Sequence, residues 1–161
     1  MSNIIRVGMA DYKICKAPDY IVTLGLGSCM GVVIYDTQKL ICGMAHIMLP
    51  DSKKINQNKN RFKFADTCLL DMLNELLHEG ASKKSLVAKI AGGARMFAYD
   101  STNEHLNIGG KNIQATKDFL AMNHIPILAE DTGAFHGRTI EFYPETGELQ
   151  VKAVGKGIYI I

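Results

Sequence analysis

The chain has 161 residues, 47% hydrophobic and 21% charged, the balance of a globular domain and not of a disordered tail. Its formal charge of +2 supplies no field for nucleic acid or an acidic membrane surface. No apolar run nears the roughly 18 residues of a membrane span, and "MSNIIRVGMADYK" turns polar too early for a signal peptide.

In chain order, strands are expected over 4–9, 20–24, 30–35 and 40–49, each rich in Val, Ile, Leu and Met and bounded by Gly or Asp. Residues 51–63 lack apolar periodicity and read as an exposed loop. Over 63–79, Ala65, Cys68, Leu69, Met72, Leu73, Leu76 and Leu77 form one stripe of an amphipathic helix stopped by Gly80. A strand over 85–91 leads into "AGGARMF", and a second helix over about 110–123 turns Ile113, Thr116, Phe119 and Leu120 inward. Strands over 125–129, 138–143 and 148–154 follow, the last two joined by the turn "PETG". No repeat or linker interrupts the pattern, so one domain over 1–161 is expected, of the α/β or α+β class. Two helices cover one face of a mixed or antiparallel sheet.

The four cysteines (15, 29, 42 and 68) form no CxxC pair, which predicts reduced thiols and a cytoplasmic protein. Cys29 stands out because it follows the glycine-rich "VTLGLGSC". A dinucleotide fingerprint fails here, since Gly25, Gly27 and Gly31 are misspaced and a strand-like "VVIYD" follows where a helix is needed. A nucleophile elbow fails for the same missing helix. A hairpin turning at 36–39, with a two-residue loop between Thr37 and Gln38, places Cys29 directly opposite His46. Thiol and imidazole then share a face, where the ring can take the thiol proton. The alternative is that Cys29 is inert packing and His46 an ordinary core histidine. Cys42 and His46, on one strand, lie about 13 Å apart and do not converge on a metal. His78, His105, His124 and His136 have no matching nucleophile.

The stretches "VTLGLGSC", "GMAHIMLPDS", "KFADTCLLDML", "AKIAGGARMF", "NIGGKN" and "LAEDTGAFHGRT" together resemble the CheD family, from about residue 7 to residue 154. The resemblance implies a layered α/β/β sandwich and a cofactor-free and metal-free deamidase acting on glutamines of methyl-accepting chemotaxis receptors. It implies a catalytic set of Cys29, His46 and Thr23, where the residues alone left Asp36, Asp51 and Asp131 equally open as the group orienting the histidine. An imidazolium at His46 would hold Cys29 as thiolate, and backbone N–H groups of the Gly27, Ser28 and Cys29 turn are candidate oxyanion donors. Gly92, Gly93, Gly109 and Gly110 would admit a receptor helix close to the backbone, or would serve tight turns. Asp131 and Thr132, with Arg138 downstream, would line the site mouth or end a strand. The basic run Lys53, Lys54, Lys59, Arg61 and Lys63 would dock acidic receptor helices or stand solvated. Family members also bind a CheC-type phosphatase, so an interaction module is the second reading. A transglutaminase, with an amine replacing water, is the third.

Overall fold

The computed structural model describes residues 2–54, 60–96 and 107–161. Among them, ten strands form two five-stranded sheets. They are β1 (Ile4–Val7), β2 (Asp11–Lys16), β3 (Tyr20–Leu26), β4 (Met30–Asp36), β5 (Ile41–Ile47), β6 (Leu86–Gly92), β7 (Ile127–Thr132), β8 (Arg138–Tyr143), β9 (Glu148–Ala153) and β10 (Gly157–Ile160). The central sheet runs β2-β5-β4-β6-β7 and the outer sheet β1-β3-β8-β9-β10, each mixed, with one parallel pair apiece (β6 with β7, β1 with β3). Helices α1 (Ala65–His78) and α2 (Ile108–Met122) cover the face of the central sheet turned away from the outer sheet. The layering is helices, central sheet, outer sheet, as expected.

Strand β4 explains the layering. All seven of its residues are buried, because a strand between two layers must be apolar on both faces. Met30, Val32 and Ile34 pack against α1 and α2. Val33 and Tyr35 pack against Ile21, Ile140, Phe142 and Val151 of the outer sheet. In β5 the alternation continues, with Ala45 and Ile47 on the helix side and Cys42 and Met44 on the outer-sheet side. Helix α1 buries Ala65, Cys68, Leu69, Met72, Leu73 and Leu76, the expected stripe less Leu77, and ends before Gly80 at φ +114. Each large apolar side chain so buried contributes roughly 1.5–3 kcal/mol.

Three expectations need correction. The hairpin loop is Thr37–Leu40, two residues longer than the sequence suggested. Asp36 Oδ1 accepts the Gln38 and Lys39 N–H groups at 2.8 and 3.0 Å and leaves Ile41 paired with Asp36. His46 therefore pairs with Gly31, not Cys29. A shift of two residues keeps every side chain on its face. Second, the described ends of 51–63 are ordered by contacts. Ser52 and Arg61 begin 3-10 turns, Ser52 Oγ donates to Asp66 at 2.8 Å, and the Lys63 carbonyl accepts from Met48 and Leu49 at 2.8 and 3.0 Å. Third, β2 and β10 were not anticipated as strands.

Helix α2 sits against the turn after β6 through paired glycines. A Cβ on Gly109 would lie 2.3 Å from the Ala94 carbonyl oxygen, and one on Gly93, whose φ is +68, would lie 2.4 Å from Ile113 Cγ1. Strain at positive φ and overpacking add, so Gly93→Ala is expected to cost about 2–4 kcal/mol in urea unfolding. An unchanged midpoint would contradict this packing.

Candidate active site

The site is built where β3, β4 and β5 come together between the sheets. Thr23 on β3 is paired through its backbone with Val7 of β1, and its hydroxyl lies 2.8 Å from the Val7 carbonyl oxygen. The same hydroxyl oxygen lies 2.8 Å from His46 Nδ1. A carbonyl only accepts, so the single hydroxyl proton goes to Val7 and Thr23 must accept from an Nδ1–H. That fixes the tautomer and leaves the lone pair on Nε2. Both residues are buried, Thr23 at 1% exposure and His46 at 0%, so the chain of bonds is shielded from competing water. His46 Nε2 is itself buried, with no hydrogen-bond partner among the described residues.

Cys29 lies in the bend before β4. Extending the strand puts it on the face of Gly31, which is also the face of His46. It packs, half-buried, against the cluster between the sheets that holds Leu26 and Ile140. Thiol and imidazole are thus diagonal neighbours on one face and not directly opposed, and Nε2 makes no bond to the sulfur at rest. Burial pushes the Cys29 thiol above its ordinary 9.0, its own amide N–H pulling the other way. Burial likewise pulls the His46 imidazole below 6.5. Each group is favoured in its neutral form, so the expected thiolate–imidazolium pair is not the resting state.

The turn before β4 is held by its carbonyls. Gly27, Ser28 and Cys29 carbonyl oxygens each accept a bond at 2.9 Å, from the Ala94 N–H, the Asn112 side chain and the Gly93 N–H respectively. Among the described residues, the Ser28 and Cys29 amides meet no backbone carbonyl.

The remaining expected residues have internal partners. A Cβ on Gly92 would lie 2.3 Å from the Cys29 carbonyl oxygen, so the room at Gly92, Gly93 and Gly109 is taken by this chain's own atoms and not left for a visiting helix. Gly110 packs on the Asn107 side chain, which caps α2. Asp131 accepts from Arg138 Nε at 3.0 Å and from the Tyr159 hydroxyl. Against burial, which raises it, those bonds hold its carboxyl below the ordinary range. Arg138, 2% exposed, also donates to the Gly133 carbonyl at 3.0 Å, tying the two sheets together behind the site. Thr132 pairs with Gly92 in the sheet. Of the basic run, Arg61 is bonded twice to Asp71, at 3.0 and 2.8 Å, while Lys59 and the Lys54 side chain lie outside the described residues, as does His105. Asn112, on the inward face of α2, is the residue that sequence reasoning missed. Its place in the stripe with Thr116 and Leu120 was the available signal.

Among the described residues no cluster of three His, Cys, Asp or Glu is placed to hold a metal ion. No helix among them is long and apolar enough to cross a membrane. A cleft of about 860 Å³ among the described residues runs along α2 and β7 and includes neither Cys29 nor His46.

The imidazole sets a pH dependence of folding. The unfolded ring titrates near 6.5 and the folded ring lower, so between the two values the unfolded chain binds more protons. His46 therefore gives its full stabilisation above pH 6.5 and loses it as the pH falls toward the folded value. Urea titrations of His46→Gln between about pH 7 and pH 5 are expected to show a shallower loss of stability than the wild type. An equal slope in both proteins would contradict the burial of a neutral ring.

Comparison with known proteins finds relatives along nearly the whole chain. The sequence model described as "CheD chemotactic sensory transduction" matches residues 48–153. The "Probable chemoreceptor glutamine deamidase CheD" of Lachnoclostridium phytofermentans is 57% identical over 156 residues, 97% of both chains. The "Chemoreceptor glutamine deamidase CheD" of Halalkalibacterium halodurans is 51% identical over 160 residues, 98% of both chains. That of Bacillus subtilis is 46% identical over 155 residues, 96% of this chain and 93% of the relative. The pairwise matches reach far enough toward the N-terminus to take in the β3–β5 region that the family model leaves out, and this chain belongs to the CheD family.

Proposed function

We propose that this protein deamidates glutamine side chains of chemoreceptors, the substrate named for its relatives, through Cys29, His46 and Thr23. One observation carries the chemistry: His46 Nε2 is buried, without a partner among the described residues and left unprotonated by the bond Thr23 makes at Nδ1, on the face that carries a half-buried thiol. Such a nitrogen is a general base waiting for a proton.

The thiol is neutral at rest, so the proton leaves as the sulfur attacks. Nε2 takes it while Sγ bonds to the carbon of the glutamine carboxamide, and the developing oxyanion meets the Cys29 and Ser28 amides. The imidazolium then gives that proton to the departing nitrogen, ammonia leaves, and a thioester remains. Water, deprotonated by the same Nε2, attacks the thioester carbon. The thiolate leaves, takes back the proton, and the product is glutamate. Thr23 carries no charge, so it fixes the ring without raising its basicity as a carboxylate would. Asparagine would present its carbonyl one methylene short of the sulfur, and a misplacement of about 1 Å costs roughly 100-fold.

Cys29→Ala is expected to abolish the gain of about one dalton per deamidated glutamine in a receptor cytoplasmic fragment read by mass spectrometry, and to leave any binding of a CheC-type phosphatase in place. Deamidation by that variant would overturn the mechanism. Alkylation of Cys29 by iodoacetamide is expected to rise with pH through a midpoint above 9.0, with no plateau near neutrality. A plateau that begins below about pH 7 would mean a preformed ion pair instead.

A further inference from the structure

Asn112 is completely buried and lies on the first half of α2. Its Nδ2 donates to the Ser28 carbonyl oxygen at 2.9 Å and to the Met48 carbonyl oxygen at 3.0 Å. Both partners can only accept, so the nitrogen is assigned without ambiguity and both of its protons are used. Ser28 immediately precedes the thiol, and Met48 lies two residues beyond the imidazole. A single planar amide therefore bridges the two segments that carry the reacting pair.

That bridge stands where the sheet stops helping. Met30–Ile47 is the last pair of the β4–β5 ladder at this end, so Ser28, Cys29 and Met48 all lie beyond it. The peptide plane adds a second consequence. In a trans peptide the carbonyl of one residue and the N–H of the next point in opposite directions. Pulling the Ser28 oxygen toward α2 aims the Cys29 N–H the other way. That N–H favours the Cys29 thiolate. Helix α2 can supply the pull because Gly109, three residues earlier, lets it close onto the Gly93 and Ala94 carbonyls.

We infer that Asn112 is a positioning residue of the deamidase: it fixes the spacing of Cys29 from His46 and orients the Cys29 amide toward the developing oxyanion. The inference rests on the deamidase reading above. Removing the side chain lets the Ser28–Cys29 peptide rotate, which weakens the transition state more than the bound substrate.

The test uses the full-length protein and a receptor cytoplasmic fragment. Asn112→Ala is expected to lower kcat by about 10- to 100-fold with KM held within about threefold, and to move the iodoacetamide midpoint of Cys29 upward. Thr116→Val, on the same buried face of α2 with no bond to the turn, is expected to leave both readings unchanged. A folded Asn112→Ala with wild-type kcat and midpoint overturns the inference, as does a loss matched by Thr116→Val. Should Asn112→Ala not fold, Asn112→Asp reads the same bond. Its buried carboxyl donates only when protonated, so the ratio of variant to wild-type rate is expected to rise as the pH falls, and a flat ratio overturns the inference. An inactive Cys29→Ala beside an unimpaired Asn112→Ala defeats this inference alone. An active Cys29→Ala defeats the Cys29 mechanism on which the inference rests.

Discussion

The hydrogen bond between Thr23 and His46 joins the two sheets at the proposed site of the chemistry, and the Val7 carbonyl gives it its direction. Because β1 runs parallel to β3 with Val7 beside Thr23, the hydroxyl proton is claimed by the backbone before the imidazole can use it. The ring then has one way to bond, as an Nδ1–H donor. Packing and reactivity are linked here, since any slide of the outer sheet over the central one breaks the same contact that sets the tautomer.

A neutral orienting group has a cost and a benefit. It lends the imidazolium no charge stabilisation, as an aspartate would. It also leaves burial as the dominant influence on the ring, so the base stays unprotonated near neutral pH. The thiol is held neutral by the same low-polarity surroundings. On the proposed mechanism, substrate entry, which brings the carboxamide carbon to the sulfur, is then what makes proton transfer worthwhile. The turn before β4 is the complementary half of the design. Three successive carbonyls are tied back to the 93–94 turn and to α2, which aims the intervening amides away from those partners.

Much of this was legible in the sequence, for reasons that can be named. The stripe from Ala65 to Leu76 has one period and one outcome. The run "MGVVIYD" is rich enough in β-branched residues to read as a strand, while the cover on both of its faces shows only in the layers. Cys29 and His46 were placed on one face even though the hairpin loop was misjudged, because an error of two residues is invisible to an alternation of period two. What escaped depends on contacts distant along the chain. Asn112 bonds to residues 84 and 64 positions away, and nothing near it in sequence announces either partner. The glycines at 92, 93 and 109 advertise close approach but not what approaches: backbone at Gly92 and Gly109, and the Ile113 side chain at Gly93. Asp131 reads equally as lining the site mouth or ending a strand, and its bonds to Arg138 and Tyr159 show only in the fold.

The tautomer of His46 is the point on which the account turns, and nitrogen NMR of histidine-labelled protein reads it directly. The account predicts a neutral ring near pH 7.5, with the proton on Nδ1 and Nε2 showing the shift of an unprotonated nitrogen. A proton found on Nε2, or an imidazolium persisting at that pH, would leave Cys29 without its base and would contradict it.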